Sequence, residues 1–394
     1  TFACTSFIIS GKATPSGKPM MFKHRDTDEL NNRIAHFQGK KYAFMGLVNA
    51  PSLDGEVWAG MNEAGLCIMN TASYNLREDQ LDCQMDREGE FMYHVLGQCA
   101  TLQEFEAWID TYPQPWGVEA NFGIIDAQGG AAYYEINNHR WIKYDVNEEA
   151  NGYRVVTNFS FAGRYEDYEG WERYQTATAI MQEAFSREKE MTAIDALNLF
   201  SRKYRHEVLG VNYDQENAPQ YIVDQDFIPR RITSAVVYFE GVKAGENPCQ
   251  AVMWTALGYP ACAVAIPLFV HPKHLPAYML ARDAKAAEGI GLHAEMCDAS
   301  LRIKDQWAFP MHISNGKRYV ALQTILVGNE NKPALMTCTN DVETKMQSDF
   351  LPLYQQWTTD KISDEEFWQS YDHMANRWMQ TYYDTFQPYL SNEK

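Results

Sequence analysis

A chain of 394 residues with 45% hydrophobic and 22% charged side chains holds enough apolar material for a large core, which excludes disorder for any sizeable part of it. The formal net charge of -18, with no Lys or Arg cluster, excludes nucleic acid as a partner, because phosphate binding draws on clustered cations. No apolar run approaches the roughly 20 residues of a membrane-spanning helix, so no membrane span is expected.

The elements read as follows. From Thr5 to Thr71 the pattern is mostly strands, TSFIIS, PMMFKHR, YAFMGLV, EVWAGM and GLCIMNT, expected to form a sheet in sequence order. Two helices follow, FMYHVLGQC and then LQEFEAWIDTY behind a Thr101/Glu104 capping box. Strands return with NFGIIDA, GAAYYEI, RWIKYDV and YRVVTNF, the first two joined at a Gln128-Gly129-Gly130 turn. Helices are expected near Trp171 to Phe185 and Ile194 to Tyr204, then a polar loop from Asn212 to Asp226, then a strand pair in SAVVYFEGV and CAVAIPLFV. The residues from Val342 read as a long helix lying on the body, with Ser363 and Glu366 as a second capping box. Strand blocks alternating with helix pairs predict an α+β protein: two stacked, mostly antiparallel sheets covered by helices on both outer faces, over 4–340, with a helical tail over 341–394.

The chemistry concentrates at the amino end. A hairpin turning at Ala13-Thr14-Pro15-Ser16-Gly17, centred near Pro15 or Ser16, sets Cys4 opposite Asp26 to Asp28, with Arg25 and Lys23 just beyond. A cysteine near a chain end is more often structural than catalytic, and salt-bridged strand ends are common; the charged neighbours are what favour chemistry here. With Cys4 as the first residue, its α-amine, of pKa about 7.7, serves as general base, Asp26 orients that amine, and Lys23 or Arg25 favours the attacking thiolate. Thr1-Phe2-Ala3 must then be removed, and the small residues at positions 1 and 3 resemble the end of a signal peptide, which predicts export to a bacterial periplasm or secretion.

The segments CTSFIISGKATPSGKPMMFKHRD and GMNEAGLCIMNTASYN resemble the N-terminal-nucleophile amide hydrolases that include penicillin V acylases, bile salt hydrolases and isopenicillin N acyltransferases, nearest to an acyltransferase-like branch with carcinine hydrolases. The resemblance spans roughly Cys4 to Arg173 and, more loosely, Ser234 to Val270. It implies an αββα sandwich and cleavage of a linear amide in a small N-acyl substrate through a thioester at Cys4, or acyl transfer from the same intermediate. The family's Arg-Asn-x-Asp motif falls on Lys23-His24-Arg25-Asp26, which leaves the positive charge to Lys23 or Arg25 and Asp28 as a fallback for the acid. The resemblance also nominates Asn158 in VVTNF for the oxyanion hole, a role worth about 3 kcal/mol, with Asn70 in the loop after GLCIM as second donor. Arg173 is the arginine near the nucleophile, with Arg164 as rival.

Other signals are set aside. His293-Ala294-Glu295 lacks the downstream PCxxC of a zinc deaminase, and His271 and His274 in HPKH lack further ligands, so neither metal nor cofactor is expected. The 52 aromatic residues admit a non-enzymatic glycan-binding protein, in which Cys4 would be unreactive, although core packing accounts for most rings. The eight cysteines form no CxxC pair and read as mostly buried thiols. Association into a homo-oligomer stays open.

Overall fold

The computed structural model describes residues 3–52, 55–78, 83–282 and 293–391. In chain order the first ten strands are β1 Ala3–Ile9, β2 Met20–Asp26, β3 Asn32–Gln38, β4 Ala43–Asn49, β5 Ala59–Asn62, β6 Cys67–Ala72, β7 Ala120–Ile125, β8 Ala131–Ile136, β9 Trp141–Asp145 and β10 Tyr153–Val156. The first six do not form one sheet in sequence order. β1 and β2 lie in a six-stranded antiparallel sheet, flanked by β10 on one side and by Thr233–Glu240, Val252–Leu257 and Ile266–Leu268 on the other. Strands β3 to β9 make a seven-stranded antiparallel meander. The short segment between Asp26 and Asn32 carries the chain from one sheet to the other.

The two sheets stack face to face. Along β1 the alternation of side chains turns Cys4, Ser6 and Ile8 toward the meander and Thr5, Phe7 and Ile9 toward the helices outside. Ser6 Oγ reaches Tyr133 Oη of β8 at 2.8 Å. The closest approach is at Gly123 of β7, where an added Cβ would lie 2.5 Å from Met69 Cε, 3.2 Å from Ile8 Cδ1 and 3.3 Å from Met21 Sδ. A side chain there would pry the sheets apart.

Helices cover both outer faces. α1 Glu88–Gln98 and α2 Leu102–Thr111 lie on the meander, with Phe91, Leu96, Phe105 and Ile109 packed against Phe44, Ile68 and Phe122. The apolar spacing Leu102, Phe105, Ile109 makes one face of α2, and the Thr101 hydroxyl caps it by accepting from Glu104 N at 3.1 Å. α3 Trp171–Ala184 and the helical stretch Ala193–Ser201 cover the other sheet, Phe200 lying 4.9 Å from Phe7 and 5.6 Å from Phe22 between ring centroids. Each such side chain taken out of water contributes roughly 1.5–3 kcal/mol.

Two expectations change. The strand pairing with Thr233–Glu240 is Val252–Leu257, which ends at Gly258 (φ +101) ahead of the turn through Pro260, and CAVAIPLFV contributes only Ile266–Leu268. The residues from Val342 form a pair of helices, Leu335–Thr358 and Asp364–Thr385, broken at Asp360 (φ +55) and restarted by the Ser363/Glu366 capping box. Residue 341 falls inside the first of them, and Glu343 on it grips buried Arg202 through two hydrogen bonds of 2.7 Å. The eight thiols are all free and six of them are buried, as expected; Cys249 is exposed.

Candidate active site

β1 and β2 pair with Cys4 directly opposite Arg25 and Ala3 opposite Asp26. The hairpin is therefore centred between Thr14 and Pro15, earlier than the turn residues alone suggested, because Ser10 caps a short helical turn at Gly11–Ala13 that takes up the first part of the loop. The consequence is chemical. Cross-strand partners share a face, so Cys4, Arg25 and Lys23 point between the sheets while Asp26 and His24 point to the helical side.

All four charged or titratable residues Lys23 to Asp26 are at most 3% exposed, and each is held by specific partners. Lys23 Nζ donates to Trp58 O at 2.5 Å and to Asn70 Oδ1 at 2.8 Å. Burial pushes its pKa down to about 7, with Arg25 pushing the same way and Cys4 pulling against both. Arg25 donates to Asn32 Oδ1 and, at 2.9 Å, to Asn49 Oδ1, and its guanidinium lies 5.1 Å from the Trp58 ring. Burial brings Arg25 down to about 10.

Asp26 accepts from Thr233 Oγ1 at 2.7 Å and from Arg230 through Nε at 3.1 Å and Nη2 at 2.5 Å, and His24 Nε2 lies 3.1 Å away. Burial works to raise the Asp26 pKa, but Arg230 and His24 outweigh it and hold the carboxyl well below its usual range. His24 also bonds Ser201 Oγ at 2.9 Å, on the side of the sheet away from the thiol. Asp28 is exposed.

The Cys4 backbone nitrogen is held by Asn158, not by Asp26: Cys4 N donates to Asn158 Oδ1 at 2.7 Å. Asn158 follows β10, which pairs with β1, and its Nδ2 donates to Ala72 O at 2.8 Å. The Asn158 amide oxygen thus faces the nucleophile, whereas an oxyanion-hole role uses the nitrogen. Arg173, 1% exposed in the first turn of α3, completes the clamp by donating to Cys4 O at 2.6 Å and to Asn158 Oδ1 at 2.8 Å. Burial lowers its pKa to about 10. Gly170, at φ +77 just before α3, leaves room for it, since a Cβ there would sit 2.2 Å from Arg173 Nη2. Arg164 is exposed and pairs with Asp167 at 2.8 Å, away from Cys4.

Asn70 lies within β6, not in the following loop. Lys23 engages its oxygen, which leaves the amide nitrogen as the end able to donate. Cys4, Lys23, Arg25, Asp26, Trp58 and Asn70 line one cavity of about 240 Å³, whose wall continues through Ala72, Ser73, Tyr74, Arg77, Met85, Asp86, Glu88 and Glu119. Sequence reading missed Arg230 and Thr233, the partners of Asp26, and the acidic residues of the wall. It also missed Asn121, whose Nδ2 donates to Phe159 O at 3.0 Å and fixes the chain just after Asn158. A buried carboxylate in HRD that requires a cation was the one signal for Arg230.

Thr1 and Phe2 lie outside the described residues. Among the described residues no group of three or more His, Cys, Asp or Glu is arranged to hold a metal ion; His274 bonds Asp372 at 2.8 Å and stacks on Trp368. No described helix is long and apolar enough to cross a membrane. The exposed large aromatics among the described residues are Tyr165, Trp171 and Tyr319.

No family model and no curated protein matches the chain. Solved structures that align with the chain include a Caenorhabditis elegans ortholog of N-acylethanolamine-hydrolyzing acid amidase, at 15% identity and TM-score 0.41 over 60% of this chain and 92% of that one. A mutant conjugated bile acid hydrolase from Clostridium perfringens aligns at 12% identity and TM-score 0.37 over 64% of this chain and 89% of that one. Penicillin V acylase from Agrobacterium tumefaciens aligns at 14% identity and TM-score 0.37, covering 67% and 86% respectively.

Proposed function

We propose that the protein is a cysteine amide hydrolase in which Cys4, once it is the first residue, attacks the carbonyl of a linear N-acyl amide. The observation that carries this reading is the setting of Cys4: it lines a cavity of about 240 Å³ beside Lys23 and Arg25, while its nitrogen is clamped at 2.7 Å by Asn158. A structural thiol needs neither a cavity nor a clamp on its own backbone nitrogen.

In the proposed cycle the Cys4 sulfur bonds the amide carbon as its proton passes to the α-amine. The C–N bond then breaks, and the amine leaves with the proton returned by the α-ammonium. Water, deprotonated by the same amine, cleaves the thioester to a carboxylic acid and restores the thiol. Asn158 and Arg173 position the nucleophile, Lys23 turns the Asn70 amide toward the developing oxyanion, and the positive charges of Lys23 and Arg25 offset its charge. We assign Asp26, which pairs opposite Ala3 and also lines the cavity, to steady the amine once residues 1–3 are gone.

The mechanism needs a free α-amine, so active molecules begin at Cys4; export with cleavage after Ala3 supplies that terminus. The test is release of amine from a panel of N-acyl amides, read beside the intact mass. Cys4→Ala is expected to abolish turnover with an unchanged near-ultraviolet circular dichroism spectrum. Full activity in Cys4→Ala, or in chains that all retain residues 1–3, overturns the reading.

A further inference from the structure

The cavity has two chemically different ends. Beside Cys4 the charged groups are Lys23 and Arg25, with Asp26 on the same wall; the wall formed by the segment before α1 and the start of α1 carries Asp86 and Glu88, with Glu119 ahead of β7 and Arg77 next to Glu119. Among the described residues no Lys, Arg or His lies within ion-pair distance of these three carboxyls. Glu88 is only 7% exposed, and its one side-chain hydrogen bond to another residue is from Glu119 N, at 2.9 Å to Oε1. Glu119 Oε1 in turn accepts from Leu76 N and Arg77 N, both at 2.8 Å, which pins its carboxyl to the wall. Burial, with the charges of Asp86 and Glu119 adding to it, pushes the Glu88 pKa up to about 7, against the hydrogen bonds it accepts.

A carboxyl buried among carboxyls is an unfavourable arrangement unless a cation reaches it. Its position in the first turn of a helix favours a negative charge, but half-buried Glu90 in the same turn meets the same need. Tyr74, Met85 and Trp58 give the space between the two ends an apolar lining suited to a short carbon chain.

We propose, resting on the amidase reading above, that the cavity selects linear amides bearing a cationic amine, with Glu88 as the residue that reads the charge and Asp86 in support. The substrate then spans from the scissile carbonyl at Cys4 to an ammonium group at Glu88.

The test compares the p-nitroanilides of heptanoic acid and 6-aminohexanoic acid, which differ at the chain end by a methyl against an ammonium. Alongside it, 1,5-diaminopentane or pentanol is used to protect Cys4 from iodoacetamide. Wild type is expected to favour the aminoacyl anilide and to be protected by the diamine but not the alcohol. Glu88→Gln, which keeps an acceptor for Glu119 N, is expected to reduce that preference about tenfold and to lose the protection. Asp86→Asn, which tolerates the φ of +62 at that position, is expected to reduce both about threefold. Wild type without preference or protection, or variants that keep both at the wild-type level, overturns the proposal. Protection that disappears in Glu88→Gln while neither anilide is cleaved leaves cation selection standing and overturns the hydrolase reading instead.

Discussion

Lys23→Met should stabilise the protein in neutral and mildly acidic solution while removing its activity, and the size of the effect follows from where the ammonium sits. The pKa of Lys23 falls from an ordinary 10.5 to about 7, mainly through burial. Below pH 7 the chain must carry the proton into the core, at a cost of about 5 kcal/mol relative to the unfolded state. Between pH 7 and 10.5 the unfolded chain holds a proton that the folded chain has released, so this cost shrinks by about 1.4 kcal/mol per pH unit as pH rises. Methionine removes the cost but leaves Trp58 O and Asn70 Oδ1 without their donor, a loss of about 3 kcal/mol for the two. The variant should therefore be more stable by about 2 kcal/mol at pH 6 and slightly less stable at pH 9. Urea unfolding at four pH values from 6 to 9 measures this, in a Cys4→Ala background so that only Lys23 differs. Losing Cys4 removes a partner that raises the Lys23 pKa, which moves the onset of the slope lower and keeps its sign. A stability difference that stays constant from pH 7 to 9 refutes the reasoning, because it means that Lys23 does not change charge inside the fold.

Arg173→Met removes the donors to Cys4 O and Asn158 Oδ1, and is expected to lower kcat about 100-fold with KM changed less than threefold, since positioning rather than binding is lost. Steady-state kinetics check it, and a loss confined to KM would place Arg173 in substrate binding. Gly170→Ala puts a Cβ 2.2 Å from Arg173 Nη2 at a φ of +77, so it should cost about 1–2 kcal/mol of stability and lower kcat together. A thermal shift without a kinetic effect would show that the clamp tolerates displacement.

Much of the fold could be read from local pattern. The alternation in TSFIIS and NFGIIDA, the spacing of Leu102, Phe105 and Ile109, and the caps at Thr101 and Ser363 depend on residues within one or two turns of each other, and those elements form where expected. Candidate residues Cys4, Lys23, Arg25, Asn158 and Arg173 were also legible, through the hairpin and the motif resemblance, and the structure gathers them around one nitrogen and one cavity. What depended on tertiary structure is the face each residue presents. A shift in the hairpin centre turned Asp26 and His24 away from the thiol, since one residue of register inverts every side chain on a strand. Arg230 meets Asp26 across 204 positions of sequence, and the cavity wall brings Glu88 to the chamber of Cys4 from the far side of the second sheet. Sequence alone specified which groups are available for chemistry, because propensity and alternation are local; which of them meet was decided by the stacking of two sheets, a contact between residues with no local pattern in common.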